Sequence, residues 1–190
     1  MKQPAPQPRL VVISAPSGAG KTTLCGRLMH DKPQFKLSVS TTTRAIRPGE
    51  ENEKHYYFVS QRQFQEKIDR GDFVEWAEVH GNRYGTDRLV IDRALAKGKH
   101  VVFAIDVQGA MSLQKEYSNR TLLIFIEPPS LEILEERLRN RQEGAQSIET
   151  RLRNAYDELK WSPKFDYQIV NDDLERAYRQ LREIVERECL

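Results

Sequence analysis

Four short apolar runs punctuate the chain, and amphipathic stretches with a helical repeat lie between them. LVVI over 10–13, HVVFAI over 100–105, TLLIFI over 121–126 and YQIV over 167–170 are four to six residues long and show no in–out alternation. Runs of that length and kind predict strands buried on both faces, as in a parallel sheet. KTTLCGRLMH carries Leu24, Leu28 and Met29 at helical spacing. TDRLVIDRALAKG predicts a helix with Thr86 as its N-cap and a stop at Gly98. SLEILEERLRNR predicts another, capped by Ser130 after Pro128 and Pro129, and DLERAYRQLREIVERE supplies a long helix near the C-terminus. Strands alternating with helices predict an α/β fold with a parallel core sheet sandwiched between helical layers.

Two regions break the alternation. Residues 36–85 are rich in threonine, aromatic and turn residues, from KLSVSTTTRAIRPGEENEKHYYFVS to FVEWAEVHGNRYGT. They predict a small, largely antiparallel sheet inserted after the first helix. The capping-box pattern Ser60-x-x-Gln63 opens a helix within that insertion, and Gly71 ends it. Residues 137–160 form a second interruption, with arginine-rich helical stretches on either side of the polar QEGAQS. The proline-rich start, MKQPAPQPR, has no apolar segment and is expected to be a flexible lead-in over 1–8.

Composition narrows the partners. Thirty basic and 28 acidic residues leave a net charge of +2, so no global field draws the chain to nucleic acid or to an anionic membrane. Any basic site must be local. No apolar run approaches the ~18 residues of a membrane-spanning helix. Cys25 and Cys189 have no metal-type spacing and are expected to be free thiols in a reducing, cytoplasmic setting.

The first strand runs into Ser14-Ala15-Pro16-Ser17-Gly18-Ala19-Gly20-Lys21-Thr22-Thr23. This is the phosphate-loop pattern G-x-x-x-x-G-K-[ST], with Ala15 at the position of the first glycine. Backbone amides must converge on phosphate oxygens, which crowds out side chains, and Gly18 and Gly20 permit that approach. The helix that follows adds unpaired amides and the positive end of its dipole. Lys21 supplies a full charge to the terminal phosphates of a nucleoside triphosphate, and the Thr22 hydroxyl is placed to bind Mg²⁺. Ala15 is tolerable if its backbone φ stays negative. With the strand–loop–helix setting, this predicts a P-loop NTPase-type three-layer fold. The loop alone leaves GTPase, ATPase, nucleoside kinase and nucleotide kinase open.

Arg44 and Arg47 lie three apart on a predicted loop, and Tyr56 and Tyr84 fall in the same insertion. Such a set makes either a solvated basic patch or a cradle for a monophosphate dianion. Here the motifs APSGAGKTT, SVSTTTRAIRPGE, YYFVS, FVEWAEVHGNRYGT, IDVQGA and IVNDDLERAY, in this order, resemble the guanylate kinases over nearly the whole chain. The resemblance implies transfer of the ATP γ-phosphoryl group to GMP, with dGMP as a second acceptor. It also implies three parts: a core (9–35, 87–136 and 161–188), a GMP-binding insertion (36–86) and a lid (about 137–160). By resemblance, Ser40, Glu75, Thr86 and Asp106 contact guanine. Arg44, Arg47, Tyr56 and Tyr84 hold the GMP phosphate. Arg137, Arg141 and Arg151 gather around the transferring group and ATP, and Asn171 lies near adenine.

The chemistry of guanine fits Glu75 independently. Guanine presents a ring N–H and an amino group side by side, and one carboxylate accepts both; adenine offers a bare acceptor nitrogen there. The sequence departs from the family at Ala104, where an aspartate is common two positions before Asp106, and in a lid segment that is one residue short with Gln142 after Arg141. Two rival readings remain: a non-catalytic binding module of the same fold, which would be expected to lose Lys21 or its glycines, and a phosphoryl transferase with a different acceptor.

Overall fold

The computed structural model describes residues 7–79, 81–140 and 148–190. Nine strands and seven α-helices follow one another among these residues. They are β1 (Leu10–Ser14), α1 (Lys21–Asp31), β2 (Lys36–Leu37), β3 (Thr41–Thr42), β4 (Tyr57–Phe58), α2 (Gln61–Asp69), β5 (Phe73–Val79), β6 (Asn82–Asp87), α3 (Arg88–Ala96), β7 (Val101–Ala104), α4 (Val107–Glu116), β8 (Thr121–Glu127), α5 (Leu131–Arg139), α6 (Ile148–Leu159), β9 (Tyr167–Val170) and α7 (Leu174–Cys189). No described helix is long and apolar enough to cross a membrane.

The core sheet has the order β2-β7-β1-β8-β9, all parallel. Every residue of β1 is buried, as its unbroken apolar run requires. Its side chains alternate between two layers. Val11 and Ile13 face Leu24 and Leu28 of α1 and Leu181 and Val185 of α7. Leu10 and Val12 face Ile91 and Leu95 of α3 and Val107 and Leu113 of α4. Each such side chain contributes ~1.5–3 kcal/mol by leaving water, so the two layers together fix β1 and the loop that follows it. The chain leaves β1 through α1 toward one edge of the sheet and later crosses to fill the other edge from β8. Loops at the carboxyl end of β1 therefore open into the crevice where open α/β sheets bind ligands.

The second sheet has the order β4-β3-β6-β5. The expected antiparallel pairing holds for β3–β6 and β5–β6, whereas β3 and β4 run parallel. That is possible because a long excursion separates them, where a tight hairpin would have forced the antiparallel arrangement. The capping box on Ser60 forms with both arms. Phe64 of α2 is fully buried, with its ring 4.6 Å from that of Phe73. Lys36 and Leu37, the first residues after α1 in the insertion's expected span, pair with β7 in the core sheet.

Thr86 is not a helix cap. It is paired with Glu75 in the β5–β6 ladder, and Asp87 takes the N-cap backbone position of α3. The Asp87 side chain does not cap the helix either. It is buried and accepts hydrogen bonds from the Thr41 hydroxyl and the Lys67 ammonium. One carboxylate thus ties β3 and α2 to the start of α3, at the seam between the two sheets. Asp87→Ala would strand a mostly shielded ammonium and a buried hydroxyl. We expect a loss on the order of 3 kcal/mol in denaturant unfolding, and a smaller loss for Asp87→Asn, which keeps an acceptor for Thr41. A change below ~1 kcal/mol for Asp87→Ala would show that the seam does not depend on this group.

Candidate active site

The loop between β1 and α1 adopts the shape its glycines were expected to permit. Gly18 and Gly20 have φ of 90° and 99°, and Ala15 is absent from the positive-φ residues, so its methyl group is accommodated as expected. A Cβ on Gly20 would lie 2.2 Å from Nδ2 of Asn171. That amide donates a 2.8 Å hydrogen bond to the Ala19 carbonyl, 152 residues away in sequence. Asn171 is only 6% exposed, and its own carbonyl accepts from Arg137 at 3.0 Å. The loop is therefore held from the residue after β9 by a side chain that fits only against glycine. On its other flank, Gly18 abuts Leu134 and Leu138 of α5, which pack with Ala155 and Leu152 of α6.

Two clefts flank the loop. One is lined by Ala15, Pro16, Ser17, Gly18, Gly20, Lys21, Thr22 and Glu158. The adjoining one is lined by Gly18, Gly20, Thr23 and Arg137 with the Asn140 and Asn171–Leu174 segments. Ala19 is buried beneath them. The Lys21 ammonium donates to the Ile105 carbonyl at 3.0 Å. Burial lowers its pKa, and the carboxylates of Glu158 and Asp106 oppose that effect. Glu158 itself is pushed up by burial, against the pull of Lys21 and a hydrogen bond from the Ser17 amide. Sequence reasoning missed Glu158. Its signal was spacing: it lies seven residues, about two turns, after Arg151 on α6, and so on the same face of the helix.

A third cavity, of about 290 Å³, lies between the two sheets and is lined by Ser40, Tyr56, Glu75, Ala77, Tyr84, Gly85, Ala104, Ile105 and Asp106. Five residues expected around an acceptor nucleotide (Ser40, Tyr56, Glu75, Tyr84 and Asp106) thus line one space. Thr86 is buried beside it and donates its hydroxyl to Glu75 at 2.6 Å. Burial raises the pKa of Glu75, the Thr86 hydrogen bond opposes this, and the neighbouring Asp106 charge adds to it. Asp106 caps α4 by accepting from the Gly109 amide at 2.8 Å. Ala104 stands at the cavity wall, without the carboxylate common at its position.

Arg44 lies beside the cavity's Tyr56, with its guanidinium 5.3 Å from that ring's centroid and 5.5 Å from that of Phe58. Glu50, which sequence reasoning also passed over, grips it with hydrogen bonds of 2.9 and 2.7 Å. Arg47 is exposed on the same loop, and its backbone amide donates to Glu50. Arg137 belongs to the loop-side cleft, and Arg151 is half-exposed on α6. Arg141 lies outside the described residues, as do Gln142 and the shortened lid turn. For Mg²⁺, the exposed Thr22 hydroxyl and the Glu158 carboxylate offer hard oxygen atoms at the loop. No group of three or more metal-binding side chains occurs among the described residues. The donor set fits an ion held chiefly by substrate phosphates and water.

Comparison with known proteins agrees with this geometry. The guanylate kinase family model matches residues 7–188. A guanylate kinase of Chelativorans sp. (strain BNC1) is 46% identical over 182 residues, covering 95% of this chain and 84% of the relative. One from Chlamydia felis is 48% identical over 180 residues, covering 93% and 87%. The crystal structure of guanylate kinase from Anaplasma phagocytophilum superposes with a TM-score of 0.77 at 33% identity, covering 96% of this chain and 87% of that one. With the phosphate loop intact and a second cavity built beside it, the chain belongs to the guanylate kinase family.

Proposed function

We propose that the two sides of Lys21 hold the two substrates of one phosphoryl transfer, ATP over the loop and GMP between the sheets. As a guanylate kinase the chain converts ATP and GMP to ADP and GDP. The observation that carries the assignment of the clefts is the contact between the Lys21 ammonium and the carbonyl of Ile105. Ile105 is part of the wall of the inter-sheet cavity. The charge that serves the donor phosphates therefore stands beside the acceptor's space, where a γ-phosphoryl group must pass.

The roles follow from the chemistry. The loop amides of residues 15–23 and Lys21 cradle the ATP phosphates, and Asn171 holds the loop in shape from beneath the adenine side. Thr22 and Glu158 would hold Mg²⁺ at the loop, where it would neutralise phosphate charge when bound. Glu75 accepts the paired donors of guanine, with Ser40, Thr86 and Asp106 completing the recognition of the base. Arg44, Arg47, Tyr56 and Tyr84 hold the GMP phosphate. An oxygen of that phosphate forms the new bond to Pγ, the bond from Pγ to the bridging oxygen breaks, and its electron pair stays with ADP. The acceptor dianion is nucleophilic enough to need no general base. Arg137 and Arg151 spread the charge of the transferring group, an effect worth on the order of 10³–10⁵ in rate in related chemistry.

With β2 in the core sheet, we assign residues 9–37, 87–136 and 161–188 to a core, 38–86 to GMP binding and about 137–160 to a lid. Closure of the latter two excludes water and protects ATP from hydrolysis. The free, buried Cys25 and Cys189 suit a reducing compartment, and we place the protein in the cytoplasm.

A coupled ADP-release assay across GMP, dGMP, AMP, CMP and UMP tests the reading. Turnover is expected with GMP and dGMP only; preference for AMP, or none with any acceptor, overturns it. Glu75→Gln separates recognition from folding. It is expected to lose GMP turnover by about 10²-fold or more, and wild-type turnover would remove Glu75 from its role. Its stability should move the other way. The folded protein holds the Glu75 proton more tightly than the unfolded chain, so ionisation penalises the fold. The penalty is absent below the ordinary carboxylate range and complete above the raised pKa. Thermal midpoints of Glu75→Gln should therefore rise relative to wild type as pH climbs through that window, and parallel curves would refute the desolvation argument.

A further inference from the structure

The loop Thr43–Glu50 holds an ion pair with a geometry that the expected roles of Arg44 and Arg47 do not require. Glu50 accepts from both terminal nitrogens of Arg44, Nη1 at 2.9 Å and Nη2 at 2.7 Å. Its Oε2 also accepts the backbone amide of Arg47 at 2.8 Å. The second Nη1 hydrogen is spent on the Ala45 carbonyl at 2.8 Å. Three of the five guanidinium N–H groups are thereby committed to this loop. What remains is the side edge, Nε–H and the second Nη2–H, a pair spaced to meet two oxygens of one phosphate. Tyr84, which lines the inter-sheet cavity, interacts with this same guanidinium. The Tyr56 and Phe58 rings, with centroids 5.7 Å apart, both lie against it and restrict it.

The pair is also shielded: the Arg44 side chain is 12% exposed and that of Glu50 19%. An exposed pair would contribute little to geometry, because two long side chains keep their freedom in water. Electrostatics alone argues against placing an acid here. Arg44 and Arg47 bring two positive charges toward a dianion, and Glu50 cancels one of them. A site selected only for attraction would omit it. The arrangement is understandable if orientation of the arginine matters more to the reaction than the charge that is lost.

We propose that Glu50 is a positioning residue for the phosphoryl acceptor: by taking the end-on fork of Arg44 and the amide of Arg47, it turns the side edge of Arg44 toward the cavity and fixes the acceptor phosphate in line for attack. This rests on the assignment of the inter-sheet cavity to GMP. Supporting it, Arg44 and then the Arg47 amide hold the Glu50 carboxyl down to about 2, so the acceptor fork stays ionised at any working pH. A misaligned nucleophile costs about 10²-fold for a displacement of 1 Å, so the effect belongs in turnover more than in binding.

The test compares wild type, Glu50→Gln, Glu50→Asp, Arg44→Ala and the double variant Glu50→Gln/Arg44→Ala in steady-state kinetics. Glu50→Gln keeps the shape but puts a donor against the Arg44 nitrogens. It is expected to lower kcat about 10–100-fold. KM for GMP should move less than about threefold, because removing a negative charge beside the dianion offsets the looser arginine. Glu50→Asp keeps the charge on a shorter arm and should recover part of kcat. In the Arg44→Ala background the same Glu50→Gln change should cost less than about twofold. Turnover of Glu50→Gln within about twofold of wild type, or an equal loss in both backgrounds, overturns the proposal. KM for ATP and the thermal midpoint report whether the fold has failed instead; if Glu50→Gln unfolds, the Glu50→Asp and Arg44→Ala pair carries the same cycle. Wild-type turnover of GMP is the control for the reading beneath it: its absence sinks both, while its presence with an unaffected Glu50→Gln sinks this inference alone.

Discussion

A polyphosphate can be gripped only by a backbone that turns several amides inward at once, and the geometry of the loop after β1 is the constraint on which the rest of this molecule depends. Two of its residues take positive φ, a conformation with no intrinsic preference over the alternatives available to glycine. Something else must select it. Here the selection comes from outside the loop: β1 is clamped between two helical layers, the Asn171 amide holds the Ala19 carbonyl, and Leu134 and Leu138 close against Gly18. The loop is thus shaped by elements that arrive much later in the chain, including the helix that carries Arg137.

The acceptor side is built on a different principle. The donor loop uses backbone amides, while the inter-sheet cavity uses side chains whose charges are individually costly. Glu75 is desolvated beside Asp106, and Arg44 has two of its five N–H groups tied to Glu50. A carboxylate kept from water is unfavourable for an empty protein, and the Glu50 pair holds Arg44 in one orientation. Under the proposed assignment a guanine and a phosphate would engage both groups together, which would couple recognition of the base to alignment of the reacting oxygen.

Much of this was legible because it is local. The buried strands announce themselves as unbroken apolar runs, Ser60 and Gln63 form the capping box their spacing spelled out, and the glycines of the loop sit three and one residues before the lysine they serve. Contacts between distant segments carry no such signature. Asn171 looked like a nucleotide contact, and nothing near it says that its amide is spent on Ala19. Thr86 had the residue type and position of a helix cap, but the ladder opposite Glu75 competed for it and won. Asp87 drew no attention as an ordinary acid at a strand end, because its partners Thr41 and Lys67 come from separate elements. Glu50 is the intermediate case: six residues from Arg44, within a turn-forming stretch, it was near enough to be seen and was hidden by the two arginines that seemed to complete the motif.

The seam at Asp87 bears on how such a protein could arise. The residue ends a strand of the inserted sheet and begins a core helix with no linker between them, and its side chain is held by groups on β3 and α2. An insertion joined through flexible tethers could be exchanged between scaffolds as a cassette, each half tolerating a new neighbour. This one shares its joint with the host. Transplanting the acceptor-binding segment would part Thr41 and Lys67 from Asp87 unless the first turn of α3 moved with them, so the two sheets are bound to change together, and acceptor preference on this scaffold is more readily altered residue by residue within the cavity than by wholesale replacement of the insert.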